Sequence, residues 1–245
     1  MTVIQRRDVE ILVSQAQVVL GAGGNGKAFL VPWQEERAVL KVSHKAEDNK
    51  LMQEAQHMAH LEGAGGVPRL YATCENPPSI VMSYAGRSTL EDVLRGNNPQ
   101  GRFDLLQLAL MVGHRLQEMH DKGIIHNDLK NDNVIVSGDP QAPQVSIIDL
   151  GFACVEHQNL GLNSSPGKCL WIAPEVRSGQ PSTTASDVYS YAFLLSQIIK
   201  QVYRSRRSRL ATIVKQAKKE DPSARPTLDL IMKDLQYAID RSLAA

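Results

Sequence analysis

The stretch His126-Asn127-Asp128-Leu129-Lys130-Asn131-Asp132-Asn133, with Asp149-Leu150-Gly151 a short interval later, limits the folds open to this chain more than any other. An apolar-patterned segment from Leu105 to His120 precedes it, and the apolar run Val134-Ile135-Val136 follows. A second run, Val145-Ser146-Ile147-Ile148, leads into Asp149. Two short strands flanking a polar loop would deliver Asp128, Asn133 and Asp149 to one small volume. One carboxylate there can take a proton from a hydroxyl, while an amide and a second carboxylate offer hard oxygens to Mg²⁺. An H-x-D sequence alone is also an ordinary polar turn. Asn133 five residues on, and Asp-x-Gly after the second run, shift the balance to phosphoryl transfer.

Upstream, Val18-Val19-Leu20 opens into Gly21-Ala22-Gly23-Gly24-Asn25-Gly26. A G-x-G-x-x-G run also marks dinucleotide sites and plain hairpins. A dinucleotide site needs a helix directly after the glycines, yet Ala28-Phe29-Leu30-Val31-Pro32 reads as a strand. A glycine-rich hairpin whose backbone N–H groups approach phosphate oxygens fits better. Ala38-Val39-Leu40-Lys41 reads as a third strand, and Lys41 stands 15 residues after Gly26. Alone, Lys41 would be a solvated surface lysine. Asp48 to Leu61 sets Leu51, Ala55, Met58 and Leu61 at helical spacing, with Glu54 beside that stripe and able to face inward.

A strand from Arg69 to Cys74 is then expected, followed by turn chemistry at Asn76-Pro77-Pro78 and a strand Ile80-Val81-Met82 ending at Ser83-Tyr84-Ala85-Gly86. Phe103 to His120 is the clearest amphipathic helix, without evident chemistry of its own. A long apolar helix opens at Ser186-Asp187 and runs through Ile199, and a last helix spans Pro226 to Leu243.

Taken together and in order, these segments resemble the eukaryotic-type protein kinases, with their Gly-rich loop, V-A-I-K strand, H-R-D-L-x-x-x-N loop, D-F-G and A-P-E (here Ala173-Pro174-Glu175). The resemblance runs from about Val18 to Leu243. It implies one α+β domain over 1–245 with a bilobal kinase-like fold. A β-rich small lobe would end near 82, a hinge would span 83–86, and a mainly helical large lobe would cover 87–245.

The resemblance also implies transfer of the γ-phosphoryl of ATP, with Mg²⁺, to a protein substrate. Asp128 would be the base, Lys130 and Lys41 would meet phosphate charge, and Glu54 would hold Lys41, with Glu47 as its runner-up. Asn133 and Asp149 would bind the metal. Gly21, Gly23, Gly24 and Gly26 would cover the phosphates. Ala28, Val39, Met82 (at the gatekeeper position), Ala85 and Ile135 would surround adenine. Glu175 and Arg225 look like the family's buried ion pair, and Asp187 like the residue that anchors the catalytic-loop backbone.

Lys130 two residues after Asp128 is the choice of Ser/Thr kinases. Lys168, where a Thr usually follows the glycine, and Trp171 keep a tyrosine or dual-specificity acceptor open. An ATP-binding pseudokinase scaffold also remains, although Lys41, Asp128 and Asp149 are all present; a small-molecule kinase would typically lack the A-P-E and the Glu175–Arg225 pair. Asn127 replaces the family's arginine, which commonly binds a phosphate on the activation segment. An amide cannot form that charge-assisted pair, so activity without activation-segment phosphorylation is expected despite Ser164 and Ser165. Ala28 and Val39 exchange the sizes usual at their positions, and Leu150 replaces Phe.

Between Glu175 and Arg225 the chain is shorter than the family norm by roughly one helix, the loss falling between Tyr203 and Leu210. Arg204, Arg206, Arg207 and Arg209 crowd there. A solvated basic turn and a site for an acidic partner are both readings of that cluster.

Composition excludes rather than selects. A net charge of +1 argues against whole-surface attraction to nucleic acid or membrane. No apolar run approaches the roughly 20 residues of a spanning helix. Arg6-Arg7 is followed by Asp8 and Glu10 instead of the apolar core of a secretory signal. The three cysteines, without metal-ligand spacing, suit a reducing cytoplasmic or nuclear compartment.

Overall fold

Alternation of apolar side chains within the strands between Val18 and Ser83 is the pattern of a sheet with one face turned to a core. The computed structural model describes residues 2–23, 26–45, 47–161, 169–202 and 209–243. The chain divides into two compact units, 1–63 with 67–87, and 64–66 with 88–245.

In the smaller unit the elements are β1 (Thr2–Val3), α1 (Arg6–Ser14), β2 (Val18–Gly23), β3 (Gly26–Trp33), β4 (Glu36–Ser43), α2 (Asn49–Leu61), β5 (Leu70–Glu75) and β6 (Pro78–Ser83). The sheet order is β1-β5-β6-β4-β3-β2, antiparallel except for the short parallel pair β1–β5. One face carries Val31, Ala38, Leu40, Ala72, Cys74 and Val81, covered by Val9 and Leu12 of α1. Because side chains alternate, Ala28, Val39, Lys41 and Met82 lie on the other face, in the register Ala28–Lys41 and Val39–Met82. The inward stripe of α2, Leu51, Glu54, Ala55, Met58 and Leu61, is buried. Asp48 caps α2 by accepting from the N–H groups of Lys50 and Leu51.

Neither β1 nor α1 was expected, yet α1 carries its signal: Val9 and Leu12 three residues apart, and the Asp8 carboxylate accepting from the Gln5 N–H at 2.8 Å.

In the larger unit the elements are β7 (Ser88–Thr89), α3 (Leu90–Arg95), α4 (Leu105–Asp121), β8 (Ile124–Ile125), β9 (Val134–Asp139), β10 (Ala142–Ile147), β11 (Cys154–Val155), α5 (Pro174–Arg177), α6 (Thr184–Val202), α7 (Arg209–Ala217) and α8 (Leu228–Leu243). The core helix α4 starts at Leu105 rather than Phe103, because Asp104 accepts from the N–H groups of Leu106 and Gln107. Gly113 lets α6 and α8 approach it closely: a Cβ there would stand 2.9 Å from both the Tyr191 hydroxyl and Met232 Cγ. Tyr191 is fully buried and donates to the Ala109 carbonyl at 2.6 Å, and burial pushes its phenol well up.

The final helix starts at Leu228 and not at Pro226, since the Thr227 hydroxyl accepts from the Leu230 N–H. Helix α7 begins at the end of the interval read as shortened, Tyr203 to Leu210; its Leu210, Ile213, Val214 and Ala217 are buried at helical spacing. Among the described residues no helix is long and apolar enough to cross a membrane.

Candidate active site

Two clusters of functional side chains emerge, one in each unit. In the smaller unit, Lys41 on β4 reaches Glu54 on α2 with Nζ 2.7 Å from Oε2. The Glu54 side chain is 4% exposed and that of Lys41 25%, so the lysine is the partner more open to solvent. Loss of Lys41 would leave a buried carboxylate with one cation fewer, a loss of up to about 3–5 kcal/mol. Glu47, the alternative partner, is exposed and one residue before the cap of α2.

Ala28, Val39 and Met82 lie on the Lys41 face of the sheet, and Ala85 follows the end of β6. Gly21 and Gly23 are in the exposed edge strand β2, with open space where a Cβ would point. Gly26 differs: a Cβ there would run into the Val42 carbonyl of β4, so strand approach alone already demands glycine. Gly24 lies outside the described residues.

The larger unit holds the polar loop. The short strand β8 pairs with β11, Ile125 opposite Cys154, and hands the chain to His126. Asp187, fully buried in the first turn of α6, accepts from the backbone N–H groups of His126 and Asn127, each at 2.8 Å. His120 Nε2 lies 2.9 Å from the same carboxylate, so α4 does contribute to the site after all. Burial raises the Asp187 carboxyl, but the hydrogen bond and charge of His120 and the His126 contacts outweigh it and hold the group below the usual carboxylate range.

The His126 ring accepts from the Asp128 N–H through Nδ1 at 3.1 Å and meets the Ile148 carbonyl through Nε2 at 3.1 Å. Asn127 adopts φ 63, a left-handed conformation that asparagine tolerates. Its amide, 1% exposed, donates to the Phe152 carbonyl and the Cys154 sulfur, each at 3.2 Å. An arginine would be charged here; the asparagine is a buried tie between two loops.

Asp128 is 4% exposed and held at both oxygens. Its Oδ2 accepts from Lys130 Nζ at 2.9 Å and from Asn133 Nδ2 at 2.8 Å. Its Oδ1 accepts from the indole Nε1 of Trp171 at 2.6 Å. Asn133 Nδ2 also donates to the Asp128 carbonyl at 2.8 Å. With its nitrogen turned to Asp128, Asn133 keeps its amide oxygen for a cation. The Ile148 N–H donates to the Asn133 carbonyl at 2.9 Å, which brings Asp149 out of the strand beside Asn133. Asp149 is exposed with φ 64, while Leu150 behind it is 2% exposed, an apolar side chain packed inside.

An amide oxygen and a carboxylate are hard donors that suit Mg²⁺, which usually takes one or two carboxylates and completes its shell with water and phosphate. Among the described residues no cluster of three or more His, Cys, Asp or Glu could hold a metal by itself. A cation here would therefore draw its remaining ligands from solvent or phosphate. Ile135 is buried in β9, paired with Ser146 and Thr89.

Glu175 and Arg225 form a two-pronged pair at 2.7 and 2.8 Å. The guanidinium also donates to the carbonyls of Ala185, Lys219 and Glu220, so all of its directions are used. Arg209 opens α7 and lies 2.6 Å from Asp234 of α8, which removes it from a purely solvated turn. Arg204, Arg206, Arg207, Ser164, Ser165 and Lys168 lie outside the described residues.

The contact between Trp171 and Asp128 had no sequence signal: the two are 43 positions apart and no periodicity links them.

The model of the protein kinase domain family matches residues 14–236. Among curated proteins, mitogen-activated protein kinase kinase kinase 7 of Bos taurus is 27% identical over 206 residues, 80% of this chain and 34% of that protein. Serine/threonine/tyrosine-protein kinase HT1 of Arabidopsis thaliana is 29% identical over 136 residues, 54% of this chain and 34% of that protein. The probable serine/threonine-protein kinase drkD of Dictyostelium discoideum is 29% identical over 189 residues, 74% of this chain and 14% of that protein. The matched stretch thus spans about a third of the length of the first of these relatives.

Proposed function

We propose that this chain, which belongs to the protein kinase family, moves the γ-phosphoryl of MgATP to serine and threonine hydroxyls of proteins without needing a phosphorylated activation segment. The observation that carries the transfer chemistry is the Asp128 carboxylate, fixed by Lys130, Asn133 and Trp171 within one buried loop. Asp128 orients the acceptor hydroxyl and takes its proton. The hydroxyl oxygen forms the new bond to the γ-phosphorus as the bond to the leaving oxygen of ADP breaks, and the electron pair stays with ADP.

Lys130 and Lys41 meet phosphate charge, and Glu54 keeps the Lys41 ammonium in place. When bound, Mg²⁺ neutralises phosphate charge, with Asn133 and Asp149 holding it. In the smaller unit, Ala28, Val39 and Met82 on the Lys41 face of the sheet, with Ala85 after it, offer the surface for adenine.

Lys130 two residues after Asp128 supports Ser/Thr acceptors, as do the names of several relatives. Asn127 supports independence from activation: its side chain is uncharged, buried and engaged with Phe152 and Cys154, leaving no cation there to read a phosphate. The test is transfer of radiolabel from γ-labelled ATP to protein, followed by phosphoamino-acid analysis before and after phosphatase treatment of the enzyme. Label on serine and threonine at an unchanged rate supports the reading. Label on tyrosine alone overturns the acceptor assignment, and a large loss after phosphatase overturns the independence.

A further inference from the structure

The Asp128 carboxylate offers about four lone-pair sites. Oδ2 already accepts from Lys130 and Asn133, and Oδ1 accepts from the Trp171 indole, so among the described residues three are taken. The site that remains is the second one of Oδ1, beside the indole. We infer that Trp171 is a positioning residue of the transfer reaction: its N–H fixes the rotation of the Asp128 carboxylate so that the last open site of Oδ1 faces the acceptor hydroxyl. This rests on the kinase reading given above and adds a component to it.

Three observations set the indole there by design of the fold. Lys130 Nζ lies 4.9 Å from the centroid of the Trp171 ring, so the same lysine that binds Oδ2 also stacks on the group that binds Oδ1. The Trp171 carbonyl accepts from the Ser190 hydroxyl of α6 at 2.7 Å, and Ser190 is 1% exposed. Directly after it, Ile172 and Ala173 are buried, and the Ile172 N–H bonds the Cys169 carbonyl at 3.0 Å. Backbone anchored on one side and ring held between a carboxylate and an ammonium describe a fixed strut rather than a swinging cover. Rotation about the Cβ–Cγ bond moves both oxygens together, so a carboxylate tied only at Oδ2 can still rock within the slack of those two hydrogen bonds, and the indole at Oδ1 removes that slack. Near-attack geometry of this kind is where small misplacements cost rate rather than binding.

Two substitutions separate the donor from the ring. Trp171→Phe keeps an aromatic face under Lys130 and removes the N–H. Trp171→His keeps a ring nitrogen at the position of Nε1, because the imidazole overlays the five-membered half of indole, and removes the benzo ring. The assay measures kcat and KM for ATP, on the full chain, with a serine peptide that the wild type phosphorylates.

We expect Trp171→Phe to lower kcat about 10- to 100-fold, the size of one charge-assisted hydrogen bond, with KM for ATP within about twofold. Trp171→His should return kcat to within about fivefold of wild type. A merely structural role would not give this split or this rescue. A Phe variant within about twofold of wild type in kcat, or a His variant as slow as a natively folded Phe variant, overturns the inference. Should the Phe variant fail to fold, the His variant decides: kcat within about fivefold of wild type supports the inference, and a loss of about tenfold or more at a native unfolding midpoint overturns it. A wild-type chain that binds ATP and transfers nothing overturns the kinase reading itself, a result distinct from either.

Discussion

The catalytic loop and the glycine-rich strand β2 both carry a motif, but they are built on opposite principles. In the loop His126, Asn127, Asp128, Asn131 and Asn133 are all at most 5% exposed, and each side chain has a hydrogen-bond partner, that of Asn131 being the Glu91 carboxylate at 3.0 Å. Every residue of β2 is exposed, and the strand is the edge of its sheet, paired on one side only. Under the proposed function, the difference follows from which atoms do the work. Side chains that must be aimed need a surrounding structure to aim them. Backbone N–H groups that approach phosphate need only the absence of a Cβ and one ladder of hydrogen bonds to hold the strand.

That contrast predicts a graded set of losses. The largest should come from Asp187→Ala, which strips the partner from two backbone N–H groups of the loop and from His120. A loss of about 3 kcal/mol or more in urea unfolding is expected. Because the Asp187 carboxyl is held below the ordinary range in the folded chain, its contribution is full at neutral pH. That contribution drains away as the pH falls through the depressed value, so the gap between wild type and variant should narrow in acid.

Next, Gly26→Ala should lose about 1–3 kcal/mol through the clash with the Val42 carbonyl, where the glycine-rich run enters the better-covered β3. Asn127→Gly, which keeps the left-handed backbone and removes the ties to Phe152 and Cys154, should cost about 1 kcal/mol. The smallest effect belongs to β2: Gly21→Ala and Gly23→Ala should leave stability within about 0.5 kcal/mol, any change appearing in KM for ATP. Equal losses at Gly21 and Gly26 would break the comparison.

Where the order of motifs is strong the fold was legible in the sequence. Strands β3, β4 and β6 and helices α2, α4, α6 and α8 follow from period and punctuation; their ends moved by a few residues, at α4 and α8 because Asp104 and Thr227 cap the first turn. Helix α7 carried its signal in the sequence, an apolar stripe of helical period, but it is short and stands at the end of the arginine-rich interval in which the chain is shorter than the family norm. Helix α1 is short, and its two buried residues are a weak signal before the face of the sheet they cover is known. Contacts such as Trp171 to Asp128 and His120 to Asp187 are set by the packing of distant segments, and no local pattern encodes them.

The most direct test of the central claim is the rate of phosphoryl transfer by Asp128→Asn beside wild type, with ATP affinity and unfolding measured on the same preparations. The substitution keeps the shape of a residue that is 4% exposed and removes its capacity to take a proton. The account predicts a fall in kcat of about 10²- to 10⁴-fold, with ATP affinity and the unfolding midpoint near those of wild type. Transfer at the wild-type rate by a folded Asp128→Asn chain would contradict it.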